Sequence, residues 1–371
     1  MVLKQWAAGT MLTYSGIILL LVFSGISLVT GKRLVCYYSN WAQYRVGLGR
    51  FTTDNVDPYL CTHVIYAYAK LNGNQLAPIE LNDEMYYQRM INLKSRNPNL
   101  KVLLAVGGWG VGSKAFTKVS SQTSNRIEFT HNAIQYLRKH NFDGLDFHWM
   151  YPTSKGSPAG DKYDFAELIA RLISQLLLIF YINDRNLDFI TMMTYDFHGA
   201  WEKNTGHNSP LFQRLNEKPP QSYSNVNWAA RYWTSKGIPP SKLNIGIPTF
   251  GRGFTLASRM IYGPSAPAIG PSPGGIYTRE PGYLAYYEVC KLIQKGGHVY
   301  RMNDAQVPYV VIGNQWVGYD DIKSVINKAN YVQIGGYGGV GVWTLALDDF
   351  SGSCGSGKYP LISAIKNAFR N

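Results

Sequence analysis

Apolar and β-branched residues gather in seven runs, over residues 33–41, 62–71, 101–109, 142–152, 187–199, 243–254 and 339–349. Near-continuous runs of this kind suit strands buried on both faces of a parallel sheet, whereas a sheet with one wet face alternates apolar and polar positions. Between several runs the period lengthens to that of an amphipathic helix, over residues 82–95, 124–140, 163–175 and 227–236. Strand–helix alternation predicts an α/β fold around a parallel sheet. Polar and aromatic residues collect at the C-terminal ends of the runs, the end that carries the active face of a closed (β/α)8 barrel of the TIM type. The interval between residues 254 and 339 is too long for one helix. It predicts an α+β insertion over residues 256–320, with a Gly/Pro-rich loop at 263–275 and an apolar run at 307–317.

A chain of 371 residues, 46% hydrophobic, can bury a large core. The net charge of +13 fits a solubilising surface or attraction to anionic glycans and an acidic matrix. No dense Lys/Arg run is present, which argues against a nucleic-acid partner. At the N-terminus Lys4 precedes an apolar stretch, residues 17–23, and small residues lead to Gly31. This pattern predicts a secretory signal over residues 1–31 and a barrel domain over 32–371, exported without stable membrane insertion after cleavage. Cys36, Cys61, Cys290 and Cys354 fit two disulfides in an oxidising compartment, and three pairings are open. Their spacing does not suit a metal site, and no motif implies a cofactor.

Candidate chemistry centres on Phe142-Asp143-Gly144-Leu145-Asp146-Phe147-His148-Trp149-Met150-Tyr151-Pro152. As a strand it would point Asp146, His148 and Met150 to one face and Leu145, Phe147 and Trp149 to the other. The segment resembles the signature strand of animal family 18 glycoside hydrolases, the chitinases, which reads D-x-x-D-x-D-x-E-Y-P. Four further motifs share that resemblance in order. They are Val35-Cys36-Tyr37-Tyr38-Ser39-Asn40-Trp41, Ala105-Val106-Gly107-Gly108-Trp109, Met193-Thr194-Tyr195-Asp196-Phe197-His198-Gly199 and Gly246-Ile247-Pro248-Thr249-Phe250-Gly251-Arg252, followed by Val342-Trp343.

The resemblance implies a TIM (β/α)8-type barrel. The family pattern places a helix, a fifth strand and another helix where this chain has room for one βα unit, so the strand-five region is shortened. Residues 176–182 either supply a makeshift fifth strand or continue the preceding helix. The resemblance also implies the pairings Cys36–Cys61 and Cys290–Cys354.

Family chemistry is substrate-assisted. A Glu protonates the glycosidic oxygen, the sugar's own N-acetyl carbonyl attacks the anomeric carbon, and an Asp two residues earlier steadies the resulting oxazolinium. Here Asp143 and Asp146 stand, but His148 replaces that Asp and Met150 replaces the Glu. A thioether has no proton to give, and general acid catalysis is worth about 10²–10⁴-fold. A protonated His148 would oppose the positive oxazolinium; a His148 packed inside the barrel and hydrogen-bonded to Asp146 is the expected arrangement. By the same resemblance Trp343 floors the innermost sugar subsite, and Tyr195 and Asp196 contact the acetamide. Tyr37, Trp41, Tyr68, Gly108, Trp109, Met193, Trp201 and Arg252 match groove positions, with Tyr68 standing where Phe is usual and Phe250 replacing a Tyr. The expectation is a secreted, extracellular chitinase-like lectin that binds chitin or chito-oligosaccharides without cutting them. A matrix protein tying chitin to acidic components and a residual chitinase are the alternatives.

Overall fold

The computed structural model describes residues 31–150, 152–153, 156–177 and 187–370. The stretch read as a signal lies outside them apart from Gly31. In chain order the first strands are β1 (Arg33–Ser39), β2 (His63–Asn72), β3 (Gln75–Pro78), β4 (Lys101–Gly107), β5 (Gly144–His148), β6 (Ile190–Met192) and β7 (Leu243–Pro248). Next come β8 (Phe250–Leu256), β9 (Ala268–Pro271), β10 (Tyr283–Ala285), β11 (His298–Met302), β12 (Val307–Ile312) and β13 (Gln315–Gly318), then β14 (Gly339–Trp343). The helices are α1 (Asp83–Asn92), α2 (Lys114–Ser120), α3 (Thr123–Lys139), α4 (Asp161–Leu177), α5 (Val226–Ser235), α6 (Tyr286–Gln294), α7 (Ile322–Ile334) and α8 (Pro360–Ala368).

The predicted runs form a curled parallel sheet in the order β5-β4-β2-β1-β14-β7-β6, with β3 folded back on β2. Their near-continuous apolar character has a direct cause. Val35, Tyr37, Ile65, Ala67 and Ala105 fill the inside of the curl, while Cys36, Tyr38, Val64, Tyr66, Leu104 and Val106 pack outward in the helix-covered core. The second sheet, β10-β8-β13-β12-β11 with β9 on β8, is antiparallel and forms the insertion together with α6.

Several expectations are corrected. The run 243–254 is two strands, because the chain turns at Thr249, whose hydroxyl donates to the carbonyl of Thr344 at 2.7 Å. The second of these strands, β8, joins the antiparallel sheet, so that sheet begins ahead of residue 256. The run 187–199 yields only β6, and the run 142–152 leaves strand geometry after His148. Of the residues 176–182, Leu176 and Leu177 end α4, and the others lie outside the described residues. Helices α2, α7 and α8 were not anticipated.

Among the described residues no strand joins β5 to β6. Along β5 every position is half-buried, whereas β1 is buried from Leu34 onward. Polar groups from β7, β6, β1 and β5 meet in the interior: the Asn244 amide donates to Thr191 at 3.3 Å, and the Tyr37 phenol lies near Thr191 and Asp146. Cys36 pairs with Cys61 and Cys290 with Cys354, tying β1 to the approach of β2 and α6 to the loop before α8.

Candidate functional site

The C-terminal ends of β1, β2, β5 and β14 meet in a cluster of rings. Trp343, the last residue of β14, lies 5.3 Å from Tyr37, 6.0 Å from Tyr68, 6.1 Å from His148 and 6.2 Å from Trp41, centroid to centroid. Trp41 follows β1 on a short helical turn and stacks on Tyr68 at 6.0 Å with the planes 10° apart. Tyr37, Tyr68 and Trp343 come from the neighbouring strands β1, β2 and β14, so the parallel ladder itself sets their spacing. Gly108 seals the junction. Its N–H donates to the carbonyl of His148 at 3.0 Å, its φ is +83°, and a Cβ there would meet the Tyr68 ring at 2.7 Å. Only glycine satisfies both conditions comfortably.

The far wall belongs to the segment after β6 and to the insertion. Arg252 donates to Asp196 at 2.7 Å and lies over the rings of Tyr283, Phe250 and Trp201 at 4.9, 5.4 and 5.3 Å. Asp196 sits in the left-handed region at φ 57°, held by its N–H donating to the side chain of Asn208 at 2.9 Å. Tyr195 packs edge-on against Phe250 at 5.8 Å. Along the rim Trp109 is 70% exposed, Trp201 60%, Met193 43% and Trp41 39%. Large apolar side chains left this open around a polar cleft are a mark of binding surfaces.

The four family positions on the β5 segment separate. Asp143 stands at the opposite end of the strand, exposed, in an ion pair with Lys94 at 2.7 Å and accepting the N–H of Val102 at 2.8 Å. It supports the sheet and takes no part in the cleft. Asp146 faces inward, and burial pushes its carboxyl above the usual range against the pull of His148 and the nearby Tyr37 hydroxyl. Its Oδ2 is buried without a hydrogen-bond partner. His148 also faces inward, but its Nδ1 bonds the Tyr68 hydroxyl at 2.9 Å rather than the expected Asp146. Burial draws the imidazole below its ordinary value despite nearby Asp146, so the ring is neutral at neutral pH. Met150 lies beyond the end of β5, outside the strand alternation that was expected to aim it inward. The opposite set behaves as anticipated: Phe147 and Trp149 pack on Phe116, Trp149 stacking at 5.2 Å.

The cleft thus brings together Tyr37, Trp41, Tyr68, Gly108, His148 and Trp343 on one side and Tyr195, Asp196, Trp201 and Arg252 on the other. Two residues that shape it were missed. Thr191 was hidden in an apolar run, and Tyr283 lies in the insertion with no motif around it.

The model for the family described as "Glycosyl hydrolases family 18" matches residues 33–348. The chain is 44% identical to Chitotriosidase-1 of Mus musculus, over 96% of this chain and 81% of that protein. It is 41% identical to Chitinase-3-like protein 2 of Homo sapiens, over 96% of each. Among solved structures, human YKL-39, described as a pseudo-chitinase with retained chitooligosaccharide binding, superposes with a TM-score of 0.86 at 40% identity, covering 92% of this chain and all of that one. The relatives therefore include proteins named both for chitin hydrolysis and for its loss. The extent of the match and the two-sheet architecture place the chain in glycosyl hydrolase family 18.

Proposed function

We propose that the protein binds chitin or chito-oligosaccharides in this cleft and does not hydrolyse them. The observation that carries the reading is the pairing of an intact ring cluster with a strand that has lost its acid. Trp343, Trp41, Trp109 and Trp201 offer faces suited to the apolar sides of pyranoses, and Arg252, Asp196 and Tyr195 are the groups that would orient an acetamide. In place of the acid Glu stands Met150, and in place of the Asp beside the acetamide stands a neutral imidazole. With its Nδ1 occupied by Tyr68 and its charged form disfavoured, His148 is a poor proton donor. This disfavours the residual-chitinase reading. The pseudo-chitinase YKL-39 gives a precedent for binding without cutting. Two disulfides fit a protein that works outside the cell.

The test is retention of purified protein on insoluble chitin with free chito-oligosaccharide as competitor. Retention that the oligosaccharide releases is expected. A folded protein that passes through unretained would refute the reading.

A further inference from the structure

At the end of the parallel sheet opposite the ring cluster, the N-terminal ends of β1, β2 and β4 carry Lys32, Arg33, His63 and Lys101, with Lys242 just ahead of β7. The strand order and a spacing of about 4.8 Å put Lys101 and Lys242 about 19 Å apart along the sheet. Lys32 and Arg33 are anchored by neutral acceptors. Lys32 donates to the carbonyl of Tyr337 at 2.6 Å, and Arg33 donates to the carbonyl of Ser241 at 2.6 Å and to the Asn244 side chain at 3.1 Å. Among the described residues Lys32, Arg33 and Lys101 have no carboxylate within ion-pair distance. Carbonyls satisfy the hydrogen bonds of a cation and leave its charge uncancelled. Among the described residues two acids stand at this end and offset little: Asp143 is held by Lys94 at 2.7 Å, and Asp188 stands near Arg33 without forming a close pair. Crowding of like charge is registered by the neighbours, since burial and then Arg33 and Lys101 draw His63 down to about 4.

Fixed, mutually repelling cations in a row lower the stability of the free protein and favour a polyanion. We propose that this end of the barrel binds an acidic polysaccharide through its sulfate or carboxylate groups, so that one molecule holds neutral chitin at one end of the sheet and an acidic glycan at the other. A polysaccharide fits better than a nucleic acid. Phe189 at this end is covered by Arg33 at 5.2 Å and meets the His63 ring edge-on at 5.4 Å, so it offers bases no open face to stack on.

The site is tested on the full chain with heparin as the sulfated probe, beside the chitin retention assay. In Lys32→Glu/Lys101→Glu, affinity for heparin is expected to fall at least tenfold, and the slope of log affinity against log salt to fall by about two, one per lost contact, by analogy with other polyanions. The matched variant Lys295→Glu/Lys323→Glu carries the same change of charge on exposed positions elsewhere and is expected to shift affinity less than twofold. The milder Lys101→Gln should move heparin affinity in the same direction as the first variant. Equal losses in both double variants would show that binding follows net charge alone and overturn the site, as would no loss in the first. Binding to phosphatidylserine vesicles without binding to heparin would overturn the glycan assignment. Chitin retention is expected to stay unchanged in every variant, so failure here is separable from failure of the cleft reading.

Discussion

Truncating Trp343 to alanine tests the cleft most directly. Four rings surround this half-buried side chain at 5.3 to 6.2 Å, so it is held in place while part of it stays accessible. A preorganised aromatic anchor of this kind is the type of residue whose truncation costs about 2–4 kcal/mol of binding. Taking about 3 kcal/mol, the dissociation constant for chitotetraose should rise about 150-fold. Trp343→Phe keeps an apolar floor of smaller area and should lose about 1 kcal/mol, roughly fivefold. Truncation also leaves a cavity beside Tyr37. Full burial would make that cost about 3–5 kcal/mol of stability, and half-burial reduces it. Calorimetric titration gives the affinity, and a thermal scan of each variant separates lost contact from lost fold. A Trp343→Ala protein that melts like the parent and binds chitotetraose within twofold of it would refute the assignment of this ring to the ligand.

Gly108→Ala should weaken oligosaccharide binding and lower stability by about 1–3 kcal/mol, since the new methyl meets the Tyr68 ring at 2.7 Å on a backbone with φ +83°; parental values in both calorimetry and urea unfolding would contradict this. The parent should not turn over a fluorogenic chitobioside, and His148→Asp/Met150→Glu should stay well short of the roughly 10²-fold gain of one well-placed general acid, because position 150 lies beyond the end of β5; turnover by the parent would sink the non-hydrolytic reading. His207 is fully buried, its Nε2 bonding the carbonyls of Tyr319 and Pro308 and its Nδ1 accepting the N–H of Ser209, and burial draws it down to about 3. Its native pKa lies below the unfolded value near 6.5, so the unfolded chain takes up the proton first. Stability should be full above about pH 6.5 and fall by about 1.4 kcal/mol per unit, an upper slope for one group, as the pH drops from there toward 3. Urea midpoints at pH 7 and 5 check this, and His207→Gln should flatten the difference.

How far the sequence could be read depends on how local each feature is. The parallel strands were legible because burial on both faces forces an unbroken apolar run, as Val35 and Tyr37 inside and Cys36 and Tyr38 outside illustrate. The split of residues 243–254 was not, since β7 and β8 are both buried and a run of apolar residues does not show a change of sheet at Thr249. Motifs located the ring cluster, but not the partner of His148. The hydrogen bond goes to Tyr68, 80 residues away in sequence, because strand order sets the two side by side across β4. Tyr283 was invisible for the same reason: it reaches the cleft through pairing of β10 with β8, a long-range contact with no local trace.

On the proposed reading, the placement of the binding and catalytic positions in the sheet lets one set survive the loss of the other. Tyr37, Tyr68 and Trp343 stand on β1, β2 and β14, consecutive strands at the middle of the order β5-β4-β2-β1-β14-β7-β6, each hydrogen-bonded on both sides. The family's acid position, Met150 here, follows the β5 segment at one end of that order, where every strand residue is half-buried and, among the described residues, paired on one side alone. A shortened strand-five region would therefore fall on the neighbour of that strand and leave the ladder under the rings complete. Proton transfer needs its donor placed to a fraction of an ångström, whereas stacking on a ring tolerates more. A displaced β5 would thus end hydrolysis before it ended binding, and Met150 and His148 stand where that tolerance is smallest.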